Sequence, residues 1–213
     1  MSHKKVENII FDLGGVIINL DVSRAFQKFS EIFSKELKTD IFTDKENYPF
    51  FKDYELGRIG DEEFRSCIKE LAEKPVTDSL VDEAWNAMLL DIPAERIGWI
   101  YEATKSYNCV VLSNTNAIHV SYFEQFFSDV TPYGHPGTVF QKLYYSHQIG
   151  ERKPNKAAFE IVLDDAGFDP EETVLFDDLK DNLAAANELG IITEYVERNN
   201  LKRDQLLKLD GRQ

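Results

Sequence analysis

The chain has 213 residues, of which 43% are hydrophobic and 29% are charged. This length suits one large domain or a domain with an insertion, and the composition excludes a disordered chain, a collagen and a coiled-coil rod. The net charge of −14 disfavours nucleic acid and anionic membranes as partners. A small anionic substrate would therefore need a local positive group or a metal ion.

The lack of a recognisable targeting signal and the use of cysteine predict a cytoplasmic protein. The sequence has no signal-peptide pattern, and no apolar run approaches the ~20 residues that span a bilayer. The two cysteines, Cys67 and Cys109, belong to no CxxC or Cys/His cluster, which disfavours a disulfide framework or a structural zinc site. We expect a monomer or a weak homo-oligomer.

The first predicted element is a strand, Asn8–Phe11, an apolar run that ends at Asp12. Apolar residues at helical spacing follow, and they predict a helical insertion over residues 19–91. We therefore expect a core domain of residues 1–18 and 92–213 and a cap domain of residues 19–91. The apolar faces of the cap, which we interpret as packing surfaces, are Ala25, Phe26, Phe29, Ile32 and Phe33; Phe64, Cys67, Ile68 and Leu71; and Leu80, Val81, Ala84, Trp85 and Met88.

From Pro93 onward, helical and strand patterns alternate. Pro93 opens a helix, Gly167 and Gly190 end two others, and residues 202–208 form a final amphipathic helix. Further strands are predicted at residues 109–112, 143–146 (the weakest), 173–176 and 191–196. This alternation predicts an α/β fold, a Rossmann-like parallel sheet flanked by helices with right-handed crossovers.

Polar residues follow the three strongest strands. Asp12, Ser113 and the pair Asp177–Asp178 stand at strand ends, and Lys153 precedes a helix. Ligands of open α/β sheets bind outside the carboxyl ends of the strands. One chemistry fits the set. A carboxylate attacks phosphorus, two carboxylates hold Mg²⁺, and the ammonium and hydroxyl stabilise the phosphoryl oxygens.

These segments resemble the four motifs of the haloacid dehalogenase (HAD) superfamily. The matching segments, in order and at family-like spacing, are IIFDLGGV at 9–16, VVLSN at 110–114, RKP at 152–154 and FDD with Asn182 at 176–182. The helical insertion resembles the family's C1-type cap, and residues 55–64 resemble a familiar stretch of such caps. The resemblance implies a HAD-like core and a Mg²⁺-dependent phosphatase of a small phosphorylated metabolite.

The resemblance also implies roles for individual residues. Asp12 becomes the nucleophile and a Mg²⁺ ligand, and Gly14 a Mg²⁺ ligand through its backbone carbonyl. Ser113 and Asn114 become phosphoryl-binding residues, and Lys153 pairs with the nucleophile and the phosphate. In the fourth motif the alignment favours Asp178 as a metal ligand, with Asp177 and Asn182 in supporting positions.

One departure from the family pattern affects the expected activity. Most phosphatases of this family carry a general-acid Asp where this chain has Gly14. The alternatives are a metal-independent 2-haloacid dehalogenase, in which Asp12 attacks carbon, and a catalytically weak binding or regulatory protein. If the chain is a phosphatase, the missing acid favours sugar 1-phosphates, whose leaving oxygen is more acidic than a primary alcohol, unless Asp21 or a water replaces the acid.

The histidines lack partners at ligand spacing. We interpret His3, His119, His135 and His147 as turn or surface residues. His147 is closest in sequence to Lys153, and it is the one histidine that we keep as a marginal candidate for the site.

Overall fold

The computed structural model describes residues 5–33, 41 and 47–211, and it contains a five-stranded sheet with all strands parallel. The order of strands is β3-β2-β1-β4-β5. Their bounds are β1 (Asn8–Phe11), β2 (Asn108–Ser113), β3 (Lys142–Tyr145), β4 (Thr173–Asp177) and β5 (Ile192–Tyr195). The predicted fold class is confirmed, and the predicted strands differ from these bounds by one residue or less at each end.

The described residues of the segment 19–91, which we propose as the cap, contain four helices. They are α1 (Val22–Phe33), α2 (Pro49–Glu55), α3 (Asp61–Leu71) and α4 (Asp78–Asn86). Their apolar faces enclose a separate core in which the Trp85 ring lies 5.2 Å from the Phe51 ring and 5.5 Å from the Phe64 ring. The described part of this segment consists of helices joined by turns and loops, and it has no strand apart from one isolated bridge between Leu20 and Leu89.

Helices cover both faces of the sheet. They are α5 (Ala94–Ala103), α6 (Ala117–Val130), α7 (Ser146–Ile149), α8 (Lys156–Ala166), α9 (Lys180–Asn187) and α10 (Arg203–Leu207). Because side chains alternate along a strand, Phe11 packs into the apolar layer of Phe123 and Phe127 from α6, while Ile10 packs with Phe159 of α8 on the other face. None of the described helices is long and apolar enough to cross a membrane.

The chain leaves and re-enters the core at one place. Asn19 N donates to Asp91 O at 2.9 Å, and Leu90 N donates to Asn19 O at 2.9 Å, so the two crossings run side by side. The buried Arg96 guanidinium donates to Ile17 O at 3.0 Å and to Asn19 Oδ1 at 2.9 Å, which ties the crossing to α5. We propose this paired crossing as the boundary between the core and the cap of residues 19–91.

Candidate active site

The carboxyl ends of β1 and β4 bring two predicted site residues together. The strands pair with Phe11 opposite Phe176, so the residues that follow, Asp12 and Asp177, lie side by side. Asp12 N donates to Phe176 O at 2.9 Å and continues the ladder. Ser113 ends β2 on the other side of β1. The predicted convergence of strand-end residues at one edge of the sheet is therefore present.

Lys153 joins these carboxylates. Its side chain is 1% exposed, and Nζ lies 2.9 Å from Asp12 Oδ1 and 2.7 Å from Asp177 Oδ2. Burial disfavours the ammonium, but the two carboxylates outweigh burial and raise the pKa of Lys153. Burial also raises the pKa of Asp12 to about 7, an increase that Lys153 opposes and Asp177 reinforces. A cation is therefore held against the predicted nucleophile.

Asp177 is fully occupied by hydrogen-bond donors. Besides Lys153 Nζ, it accepts from Leu179 N at 2.8 Å and from Asn182 Nδ2 at 3.0 and 3.1 Å. Its exposure is 0%. These contacts place Asp177 behind Lys153, where it orients the ammonium and the start of α9. Both of its oxygens accept hydrogen bonds from N–H donors.

Asp178 faces the other way, toward the cavity. Its Oδ2 accepts from Arg198 Nε at 2.6 Å, and the Arg198 side chain is half exposed. Gly15 passes close by with φ of +79°, and a Cβ added there would lie 2.7 Å from Asp178 Oδ2. The glycine therefore makes room for this carboxylate in a backbone conformation that other residues rarely adopt.

The acidic residues fit a magnesium ion. One carboxylate oxygen from each of Asp12, Asp177 and Asp178 lies within 4.8 Å of the others. Mg²⁺ prefers hard oxygen ligands such as these. Because N–H donors occupy both oxygens of Asp177, the residues that would hold the ion are Asp12 and Asp178, with the Gly14 carbonyl as the predicted third ligand.

Leu20 occupies the space beside Gly14. A Cβ at Gly14 would lie 2.5 Å from Leu20 Cδ1 and 3.3 Å from its Cγ. Asn199 holds Leu20 in place, since its side chain accepts from Leu20 N at 2.7 Å and donates to Leu20 O at 3.0 Å. Gly14 therefore carries no acidic side chain, and the apolar side chain of Leu20 fills the space beside it.

The side chain of Asn114 binds the backbone of Lys153. Its amide donates to Lys153 O at 2.8 Å and accepts from Lys153 N at 2.9 Å. This pair of hydrogen bonds clamps the backbone that carries the ammonium. The role of Asn114 in phosphoryl binding stays a prediction.

A cavity of about 230 Å³ opens over these groups, between the core and the cap. Core residues of its wall include Asp12, Ser113, Asn114, Lys153 and Asp178. The sequence interpretation missed several other wall residues, namely Leu20, Glu55, Trp85, Met88, His119, Arg152 and Arg198.

The interpretation of His119 as a turn or surface residue is wrong. His119 is buried in α6, its Nε2 lies 3.1 Å from Trp85 O, and its ring stacks on Trp85 at 4.6 Å. Burial lowers the pKa of His119 to about 4. One signal was available: His119, Phe123 and Phe127 recur at a spacing of four, which is one face of a helix.

Two other candidates lie outside the cavity wall. His147, the marginal candidate, does not line the cavity. Its ring stacks on Tyr145 at 6.0 Å, and burial lowers its pKa. Asp21, considered as a replacement acid, is 43% exposed and accepts from Ser23 Oγ, which lowers its pKa. A low pKa is unsuited to a proton donor at neutral pH.

Known proteins resemble the whole chain, although no family profile matches it. The D-ribitol-5-phosphate phosphatase of Bacteroides thetaiotaomicron is 30% identical over 204 residues, which cover 94% of this chain and 97% of the relative. A solved HAD family enzyme from Bacteroides thetaiotaomicron, in complex with magnesium and inorganic phosphate, has a TM-score of 0.82 and 34% identity, with 92% of this chain and 96% of that chain covered.

A second organism provides a similar structure. The structure of a predicted HAD-like family hydrolase from Porphyromonas gingivalis has a TM-score of 0.82 and 32% identity, with 92% of this chain and 94% of that chain covered. Together these similarities confirm the predicted enzyme class, a phosphatase, and the predicted cofactor, magnesium.

Proposed function

Since the chain belongs to the haloacid dehalogenase superfamily of hydrolases, we propose that it is a phosphatase of a small phosphorylated sugar or sugar alcohol. The observation that carries this proposal is the contact of Asp12 with the buried Lys153 ammonium at the floor of the cavity. A carboxylate held beside a fixed cation is equipped to attack a phosphoryl group, whose negative oxygens the cation stabilises.

The proposed reaction has two steps. Asp12 attacks phosphorus, the bond from phosphorus to the alcohol oxygen breaks, and an aspartyl-phosphate forms while the alcohol oxygen takes a proton from water and leaves. Water then hydrolyses this acyl phosphate and releases inorganic phosphate. Lys153 holds its proton near the phosphoryl oxygens throughout, because Asp177 keeps the ammonium charged and oriented. Magnesium, when bound, supplies further positive charge to the same oxygens.

Two substrates are candidates. The similarity to a D-ribitol-5-phosphate phosphatase favours a sugar-alcohol phosphate. The lack of an acid at Gly14, with Leu20 packed beside it, favours a sugar 1-phosphate, as do motifs similar to those of bacterial α-D-glucose-1-phosphate phosphatase. A comparison of kcat/KM for D-ribitol 5-phosphate, glucose 1-phosphate and glucose 6-phosphate separates them. Higher values for glucose 1-phosphate than for both primary-alcohol esters support the sugar 1-phosphate.

The phosphatase proposal has a direct test. We expect hydrolysis of p-nitrophenyl phosphate with Mg²⁺, loss of turnover in EDTA, and loss of turnover in Asp12→Asn, because an amide cannot form the acyl phosphate. Asp164→Asn, an exposed change on α8, is the matched control and keeps full activity. Halide release from 2-chloropropionate without phosphate release would instead support the dehalogenase. Binding of phosphate esters without turnover would support a regulatory protein.

A further inference from the structure

Two charged side chains meet in the cavity away from the phosphoryl-binding groups. Glu55 ends α2 in the cap, and Arg152 directly precedes Lys153 in the core. Arg152 Nη2 lies 2.9 Å from Glu55 Oε2, and both residues line the same cavity as Asp12. The side chain of Glu55 is 24% exposed and that of Arg152 is 32% exposed, so a ligand in the cavity has access to both.

The core holds the end of α2 firmly. Ser146 Oγ donates to Glu55 O at 2.6 Å, and Ile118 N donates to the Tyr54 hydroxyl at 3.1 Å. A Cβ at Gly57 would lie 2.0 Å from His147 O, so the turn after α2 packs backbone against backbone on α7. Glu55 is therefore preorganised, as a recognition group must be.

The pair retains hydrogen-bonding capacity. Within the described part of the chain, Arg152 Nε is buried and has no hydrogen-bond partner. A guanidinium carries five N–H donors and the contact with Glu55 engages Nη2, so the partly exposed guanidinium of Arg152 has further donors to offer a ligand oxygen. Burial raises the pKa of Glu55 although Arg152 opposes the rise, which indicates a poorly hydrated carboxylate. A hydrogen bond from a hydroxyl group would stabilise such a carboxylate.

The cap side of the cavity offers few other polar partners. Leu20, Val22, Met88 and Leu89 form an apolar wall, while the His119 ring is already engaged with Trp85. Sugars and sugar alcohols carry several hydroxyl groups, each of which needs a partner when it leaves water. Besides Thr115 and the Arg198 that pairs with Asp178, the polar partners away from the phosphoryl-binding groups include the charged pair Glu55 and Arg152.

We propose that Glu55 and Arg152 form a specificity subsite that binds the hydroxyl groups of the substrate's alcohol part. Glu55 accepts hydrogen bonds from hydroxyls, and the guanidinium of Arg152 donates to a hydroxyl oxygen. Because Arg152 is adjacent in the chain to Lys153, the subsite lies beside the place where the phosphoryl group is held. This inference rests on the proposed function and names the feature of the substrate that the cap recognises.

The test compares a hydroxylated substrate with phenyl phosphate, which has no hydroxyl groups on its alcohol part. The hydroxylated substrate is whichever of D-ribitol 5-phosphate and glucose 1-phosphate the wild type hydrolyses faster. In Glu55→Gln and Arg152→Met we expect kcat/KM for it to fall about 10- to 100-fold, the effect of a lost charged hydrogen bond. For phenyl phosphate we expect less than a twofold change.

Arg58→Met is the matched control, because it breaks an exposed ion pair with Asp53 on the same part of the cap. It should leave both substrates unaffected. Equal losses on both substrates in Glu55→Gln would overturn the inference and assign the pair to cap attachment alone. A loss of less than twofold on the hydroxylated substrate would overturn it as well.

A binding measurement separates this inference from the proposed function. Calorimetric titration of D-ribitol 5-phosphate into Asp12→Asn, with and without Glu55→Gln, reports on the subsite without turnover. Weaker binding in the double variant by about tenfold supports the subsite even if the wild type hydrolyses no phosphate ester. Equal binding in the two variants contradicts the subsite even if the wild type is an active phosphatase.

Discussion

Replacing Asp177 with alanine would remove an acceptor on which several donors converge. Leu179 N at 2.8 Å and Asn182 Nδ2 at 3.0 Å would lose their carboxylate partner, and Lys153 Nζ, now 2.7 Å from Asp177, would keep only its contact with Asp12 at 2.9 Å. Asp177 has an exposure of 0%, so bulk water has no direct access to these donors. The adjacent Asp178 contacts only the half-exposed Arg198 among the hydrogen bonds and ion pairs of the described residues.

The expected cost follows from these contacts. Breaking a buried ion pair by removing one partner costs about 3–5 kcal/mol. The unpaired Leu179 N–H and Asn182 amide each add about 1 kcal/mol. The contact that Lys153 keeps with Asp12, and the relief of repulsion between the Asp12 and Asp177 carboxylates, offset part of this. We therefore expect Asp177→Ala to lower the unfolding free energy by about 3–5 kcal/mol, which at ~2–4 °C per kcal/mol lowers Tm by roughly 6–20 °C.

The matched variant is Asp178→Ala. Loss of an ion pair to a half-exposed arginine changes stability by about 1 kcal/mol or less, but it removes a predicted magnesium ligand. Urea unfolding in EDTA gives both free energies, and calorimetric titration with Mg²⁺ gives the affinities. We expect Asp177→Ala to be the unstable variant and Asp178→Ala the one without Mg²⁺ binding.

The opposite pattern would refute this reasoning. If Asp177→Ala unfolds within about 1 kcal/mol of the wild type while losing Mg²⁺, Asp177 is the metal ligand and our alignment of the fourth motif is wrong. If both variants keep Mg²⁺ affinity, the metal lies elsewhere.

Three further predictions concern catalysis and pH. Lys153→Ala should raise the activation barrier by about 3 kcal/mol, because the charge that stabilises the transition state is lost. Steady-state assays should then show kcat lowered by about 10²-fold, and an unchanged kcat would contradict this role of Lys153. Gly14→Asp should be impaired by contact with Leu20, and Gly14→Asp/Leu20→Ala should recover kcat/KM on a primary-alcohol ester; no recovery would show that the space is not limiting. Because the folded-state pKa of His119 is about 4 against an ordinary 6.5, the unfolded chain binds more protons between these values. Stability should therefore fall as pH drops from about 6.5 to 4, by up to roughly 3 kcal/mol, and urea titrations of His119→Gln should lack that slope.

Local sequence was sufficient to predict the sheet and most of its polar edge. The three central strands are short runs of almost entirely buried residues, so their apolar character depends little on what the rest of the chain does. Asp12 directly follows its strand, Ser113 and Asp177 are the last residues of theirs, and parallel strands present their carboxyl ends at one edge. The helical content of the cap followed equally from periodicity, since each helix buries one apolar stripe.

The roles within that edge depend on tertiary contacts. Asp177 and Asp178 are adjacent and chemically identical in sequence, yet one faces Lys153 and the other faces the cavity. Leu20 fills the space at Gly14 because Asn199 holds its backbone, a contact between distant parts of the chain. No local pattern encodes which distant side chain will be adjacent.

The contacts between the cap and the core are the feature that depends most on the tertiary structure. The sequence determined that a helical insertion follows the first strand, but not which of its residues reach the cavity. Glu55 meets Arg152, and His119 meets Trp85, only because the cap packs on the core in one orientation. Packing and desolvation at that boundary then set what the groups can do, from the neutral imidazole of His119 to the unpaired donor of Arg152.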